Sequence, residues 1–267
     1  MSTPKLLGLP WDGSSSFLRG PAGAPEAVRS SLHCGSANYT TELGVQVDPD
    51  RWADLGDLEL STDDAAEAHT RIRNAVAEAT ADGSPLLSIG GDHFVTWPIV
   101  EAIRTRHEQL TILHFDAHPD LYDELDGNRW SHACPFARIM EAGSADRLVQ
   151  LGIRTATPHQ REQAERFGVE LHDLRTWDGT VPTLAGAVYV SIDVDALDPA
   201  HAPGVSHFEP GGLTTRQLFD SLHQVAAMDV EIVGADVVEI NVARDVHEMT
   251  AMVGAKLVRE LLGLMLA

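Results

Sequence analysis

The sequence predicts an α/β fold: a mostly parallel sheet covered by helices on both faces. Two observations carry this. Short continuous Val/Ile/Leu runs read as strands buried on both sides. Amphipathic helical stretches alternate with them along the chain, the pattern of strand–helix–strand crossovers. No repeat, low-complexity tract or linker divides the 267 residues, so residues 1–267 are expected to form one domain.

In chain order, Leu6–Leu9 is the first strand candidate, stopped by Pro10. Pro25–Leu32 follows as a helix with proline in its first turn, where a missing N–H costs nothing. Asp63–Ala81 is the second helix, with Asp63 in the N-cap place. The strand Leu86–Ile89 ends at Gly90-Gly91, and the helix Val95–Arg106 leads to strands Thr111–Phe115 and Leu148–Leu151. The helix Pro158–Phe167 comes next; then strands Val188–Ile192 and Ile232–Val238 flank the helix Thr214–Val225, capped by Thr214. The Gly/Pro-rich stretch Leu197–Gly212 is too long for a simple turn and is predicted to be a functional loop. Met249–Leu266 closes the chain as a core helix, since Arg259 and Glu260 interrupt a run too short to span a membrane.

Nineteen Lys and Arg face forty Asp and Glu, a net charge of −21. Such a surface repels nucleic acid and anionic membranes, and it suits cations or a cationic substrate. Only two cysteines occur, Cys34 and Cys134, and no charged-then-apolar leader opens the chain. Both features lead us to expect a reducing cytoplasm.

In parallel sheets ligands gather beyond the carboxyl ends of the strands, and there the sequence is informative. Gly90-Gly91-Asp92-His93 follows one strand, Asp116-Ala117-His118-Pro119-Asp120 a second, and Asp193-Val194-Asp195-Ala196-Leu197-Asp198-Pro199 a third. Each cluster alone is matched by a blander explanation: a tight turn, a helix cap, a solvated loop. All three at strand ends together point to metal. Extended backbone, with alternate residues on one side, would let Asp116, His118 and Asp120 converge, and likewise Asp193 and Asp195. Four carboxylates with neutral His93 and His118 balance two divalent cations, and an O/N donor set without thiolate favours Mn²⁺ over Zn²⁺.

These motifs resemble those of the ureohydrolases, the arginase–agmatinase family, and the likeness extends from about Gly8 to Leu262. It is nearest to plant-type arginases in Ser16-Phe17-Leu18, Ser131-His132-Ala133, Ala202–His207 and Glu209–Leu213. The resemblance implies a three-layer αβα sandwich, assembled as trimers or hexamers, with two Mn²⁺ per subunit. It implies that His93, Asp116, Asp120 and Asp193 hold one ion and Asp116, His118, Asp193 and Asp195 the other, with Asp92 and Asp198 shaping loops. It further implies that His132 shuttles a proton to the leaving amine and that Glu239 orients a guanidinium, while Asp195, beside the attacking water, is expected to take up or relay its proton. A histidine suits the first role near neutral pH, and charge-assisted hydrogen bonds suit the last.

Selectivity must come from the far end of the substrate. The loop Leu121–Trp130 is the candidate, with Asn128 or Ser131 placed to bond an α-carboxylate and Asp123 or Asp126 to pair with an amine. L-Arginine is the substrate the overall resemblance favours; agmatine or another guanidino acid is the alternative, since Cys134-Pro135-Phe136 departs from the plant pattern. A zinc deacetylase of the same fold is more remote, because no His-His pair occurs. A two-metal phosphoesterase would want more basic residues near the motifs than Arg129.

Overall fold

The computed structural model describes residues 2–267. Its eight strands are β1 (Lys5–Leu9), β2 (Ala53–Asp57), β3 (Leu86–Gly90), β4 (Thr111–Phe115), β5 (Arg147–Ile153), β6 (Glu170–Asp173), β7 (Gly186–Asp193) and β8 (Val230–Val238). Its helices are α1 (Ala24–Leu32), α2 (Ala65–Ala79), α3 (Thr96–Arg104), α4 (Pro135–Glu141), α5 (Pro158–Phe167), α6 (Thr215–Ala226) and α7 (Met249–Leu266). The strands form one sheet in the order β2-β1-β3-β8-β7-β4-β5-β6, and every pairing is parallel.

The strand alternation sorts the core into two layers. Leu6, Leu87, Leu113, Val149 and Val190 point to one face, covered by α1, α6 and α7; Leu7, Leu86, Ile112, Leu148 and Tyr189 point to the other, covered by α2, α3, α4 and α5. This is the three-layer arrangement. Helix α7 lies on the sheet through Leu257, Val258, Leu261 and Leu262, all fully buried, and each such side chain contributes about 1.5–3 kcal/mol of burial. No helix among the described residues is long and apolar enough to cross a membrane.

Six strand candidates and six helix candidates are found close to their expected bounds. Three elements were not anticipated. Strands β2 and β6 lie at the two edges of the sheet, where a strand has one neighbour and needs no continuous apolar run; both are partly exposed. Helix α4 has only seven residues. The cap of α2 is also corrected: Asp64, not Asp63, accepts the N–H groups of Ala66 and Glu67. Thr214 caps α6 as expected, in a reciprocal box with Gln217.

The fold positions a site through one fact of strand order. The neighbours β3, β8, β7 and β4 occupy the middle of the sheet. Their carboxyl ends lead into His93, Glu239, Asp193 and Asp116, residues scattered over 146 positions of separation in the chain yet side by side in space.

Candidate metal centre

Two groups of potential ligands carry the motif residues, His93 with Asp116, Asp120 and Asp193, and Asp116 with His118 and Asp195; a third combines His93 and Asp116 with His114. The backbone delivers them by turns rather than by extended alternation, which corrects the sequence expectation. Strand β4 stops at Phe115, the His118 N–H closes back on Asp116 Oδ1 at 2.6 Å, and Asp120 adopts a left-handed φ of 48°. Beyond β7 a short 3₁₀ turn spans Val194–Ala196, and the Asp193 side chain accepts the N–H of Asp195 at 2.8 Å, aiming Asp195 back at the site. Asp195 in turn accepts the N–H of Ala117 at 3.1 Å, tying the two motifs together.

The donor atoms fit cations. His93 Nδ1 is fully buried and makes no directed hydrogen bond, yet carboxylate oxygens of Asp120, Asp116 and Asp193 surround it at 3.1, 3.2 and 3.2 Å. One ring nitrogen carries at most one proton and cannot serve three acceptors; a shared cation can. The other nitrogen explains why Nδ1 is free. Ser191 donates its hydroxyl to Asp236 Oδ1 at 2.7 Å, so Ser191 Oγ must accept from His93 Nε2–H at 3.0 Å. Asp236 is held by Tyr189 and Thr96 hydroxyls at 2.5 and 2.8 Å. This outer chain sets the tautomer that leaves Nδ1 as a ligand.

His118 Nδ1 faces Asp195 Oδ2 at 3.1 Å and Asp116 Oδ1 at 3.4 Å. Asp116 belongs to both groups and so stands where a bridge would; Asp193 joins the first through Oδ2, and its Oδ1, which accepts the Asp195 N–H, keeps a second lone pair. Without cations these carboxylates cannot all remain charged. Burial, then repulsion from Asp195 and Asp116, pushes Asp193 well above its ordinary range, and burial pushes Asp195 up to about 6. Burial opposes the charge on Asp116 too, but its close contacts with the His114, His118 and His93 rings outweigh it and hold that carboxyl low. Protons on histidines then replace the missing positive charge: burial resists it, yet the Asp195 and Asp116 carboxylates raise His118 to about 12. The donor set therefore fits two divalent ions.

A cavity opens over this cluster, lined by Ser16, His118, Asp120, Tyr122, Leu125, His132, Ala133, Thr155, Thr157, Gln160, Asp193, Asp195, His207 and Glu239. His132 is buried between two partners: Nδ1 lies 2.6 Å from Glu239 Oε1 and Nε2 lies 2.9 Å from Ser16 Oγ. Glu239 takes a left-handed φ of 65°, uncommon for a residue with a side chain, at the turn that follows β8. Its Oε1 also accepts the His93 N–H at 2.9 Å, while Oε2 is buried and unpartnered. The cavity thus combines a carboxylate-rich floor with a free carboxylate oxygen and a histidine held at both nitrogens.

Most residues expected to act are gathered here: His93, Asp116, His118, Asp120, His132, Asp193, Asp195 and Glu239. Asn128 and Ser131 are not. Asn128 sits exposed on the turn Leu125–Asn128, with Oδ1 accepting the Trp130 N–H at 2.9 Å, and Ser131 is buried with its hydroxyl accepting the Ala133 N–H. Neither lines the cavity, whose outer wall is Tyr122, Leu125, Thr155, Thr157 and Gln160. The supporting residues His114, Gln150, Ser191 and Asp236 escaped the sequence reading. Gln150 Nε2 donates to His114 Nδ1 at 3.0 Å, so His114 Nε2–H donates to Asp116 Oδ2 at 2.9 Å and anchors that carboxylate. A polar residue inside an otherwise apolar buried strand was the available signal. Cys134 is fully buried, and burial pushes its thiol up to about 12, in keeping with a small apolar side chain. Asp198 accepts the N–H groups of Ala200, Gly211 and Gly212 and shapes the Leu197–Gly212 loop, which brings His207 to the cavity.

Residues 3–263 match the model of the arginase family. The chain belongs to the arginase family. Members are hydrolases of guanidino carbon–nitrogen bonds, and this chain is a hydrolase of that class. It is similar to the mitochondrial arginase 1 of Arabidopsis thaliana, at 47% identity over 97% of this chain and 80% of that protein. It is less similar to the agmatinase of Bacillus anthracis, at 33% identity over 96% of this chain and 90% of that one. Among solved structures, the arginase of Medicago truncatula superposes with a TM-score of 0.90 at 44% identity, covering 99% of this chain and 87% of its own.

Proposed function

We propose that the protein is a dimanganese amidinohydrolase that splits L-arginine into L-ornithine and urea. The observation that carries the reading is the convergence of six His and Asp donors, four of them lining one cavity together with Glu239, whose Oε2 is unpartnered. The greater identity to a plant arginase than to a bacterial agmatinase supports arginine. His93, Asp116, Asp120 and Asp193 would hold one ion; Asp116, His118, Asp193 and Asp195 the other, with Mn²⁺ suited to the oxygen and nitrogen donors. When bound, such a pair supplies a nucleophile at neutral pH by lowering the pKa of water.

The protein's own groups do the rest. Glu239 Oε2 is free to pair with a guanidinium N–H and orient its carbon over the floor. Glu239 Oε1 keeps the Nδ1 side of His132 occupied, so the proton for the leaving amine must come from Nε2. An alkyl amine leaves only once protonated, which makes His132 the general acid. Asp195, on the cavity wall, is placed to take the proton released by water.

One observation favours a second reading, agmatine. The outer wall offers hydroxyl and amide groups from Thr155, Thr157 and Gln160 and no Lys or Arg to hold a carboxylate. Urea release by manganese-loaded protein from arginine, agmatine, guanidinobutyrate and guanidinopropionate separates the readings. Preference for arginine supports the first, preference for agmatine the second, and no urea from any of them rejects both.

A cytoplasmic location and assembly into trimers or hexamers belong to the same proposal. Two unpaired cysteines support the first, although the Arabidopsis relative is named mitochondrial. Val246, Met249 and Met252, exposed around the start of α7, support the second.

A further inference from the structure

We infer that Ser16 relays the proton from His132 to the leaving nitrogen, a role that rests on the amidinohydrolase reading above. With Nδ1 engaged by Glu239 at 2.6 Å, His132 has one nitrogen left to give a proton, and Ser16 Oγ covers it at 2.9 Å. Ser16 is itself exposed and lines the cavity, so its hydroxyl stands between the imidazole and anything bound there.

The contact is built rather than incidental. Ser14 O accepts the His132 backbone N–H at 3.1 Å, and Asp92 Oδ2 accepts the Ser14 N–H at 2.8 Å and the Ser15 hydroxyl at 3.2 Å. The segment carrying Ser16 is thereby pinned to both His132 and the Gly90–His93 motif, across 116 residues of sequence.

A serine hydroxyl accepts and donates at once. In the transfer the His132 Nε2–H bond breaks as an Oγ–H bond forms. The original Oγ–H passes to the leaving nitrogen, which keeps the electron pair of the broken carbon–nitrogen bond. Ser16 ends unchanged, the amine departs neutral, and His132 recovers its proton from solvent.

The test compares Ser16→Ala and Ser16→Thr with wild type on arginine and on a nitrophenylguanidine, whose aniline leaving group demands little protonation. The expected Ser16→Ala result on arginine is a kcat lowered roughly 10- to 100-fold, with KM within about twofold and bound manganese unchanged. The loss should shrink on the aryl substrate, and Ser16→Thr should recover most of the rate. Equal losses on both substrates, no loss, or no recovery with threonine would overturn the relay. A second readout needs no turnover: diethyl pyrocarbonate should modify His132 several-fold faster in Ser16→Ala, read by mass spectrometry, and an unchanged rate also overturns the contact. A wild type that releases urea from no guanidine defeats the amidinohydrolase reading and the relay with it, whereas an active wild type with indifferent variants defeats the relay alone.

Discussion

Glu239 divides its carboxylate: Oε1 holds His132 Nδ1 at 2.6 Å and the His93 N–H at 2.9 Å, and Oε2 is buried without a partner. Burial works against its charge, but the His132 imidazole outweighs burial and keeps the carboxyl below its ordinary range. One side chain therefore aligns the acid and leaves an anionic oxygen for a cationic substrate. Glu239→Gln should lower kcat/KM by on the order of 10²-fold or more, the cost of truncating one side of a buried charge pair. Steady-state urea release with retained manganese checks it; a loss under about threefold would contradict the role.

The same pair sets a pH dependence. Burial resists protonation of His132, but the Glu239 carboxylate prevails and raises the imidazole to about 9 from 6.5. A folded value above the unfolded one stabilises the protein fully below about 6.5, and that contribution disappears as pH climbs through about 9. In metal-free protein, NMR of the imidazole should show His132 titrating near 9, falling toward the ordinary value in Glu239→Gln. Titration at the ordinary value in wild type would refute the coupling.

Ser191→Ala should weaken manganese binding roughly 10- to 100-fold, because it breaks the chain from Asp236 that fixes the His93 tautomer. Calorimetric titration of metal into each protein decides the point. An unchanged affinity would show that Nδ1 stays a ligand without help.

Asp116 contributes to both donor groups, so Asp116→Asn should lose bound metal and turnover together. Wild type should gain about 2.7 kcal/mol of stability at free metal of about 100 times its Kd, and the variant should not. Thermal unfolding with and without manganese measures both. Full metal occupancy with full turnover in the variant would rule out the shared role.

Gly91→Ala should destabilise the fold by about 1–3 kcal/mol, since an added Cβ would lie 1.7 Å from the Trp11 carbonyl oxygen. That oxygen already accepts the Asp92 N–H at 2.8 Å, and the Gly91 carbonyl accepts the Glu239 N–H at 2.8 Å. The glycine thus sits where the segments that follow β1, β3 and β8 come together. The midpoint of urea denaturation is the measure.

Much of the site was legible in the chain because ligand chemistry is local. Asp and His repeated just past buried strands announce themselves, and the family motifs name His132 and Glu239. Asn128 and Ser131 read as substrate contacts by proximity in sequence to Asp120 and His132, yet the turn at Leu125–Asn128 carries Asn128 out to solvent. Ser16 gave no local sign of its role, and Asp236 only that of a charged residue inside an apolar strand.

The sequence by itself determined which residue types stand at strand ends, and therefore a parallel α/β fold with a carboxylate-rich cluster suited to metal, because burial pattern and donor chemistry are properties of short segments. Tertiary structure alone decided that β3, β8, β7 and β4 are neighbours, which His93 nitrogen is free, and that Ser16 reaches His132. Those facts depend on hydrogen bonds between segments distant in the chain, 45 residues for Ser191–Asp236 and 116 for Ser16–His132, and no local pattern encodes them.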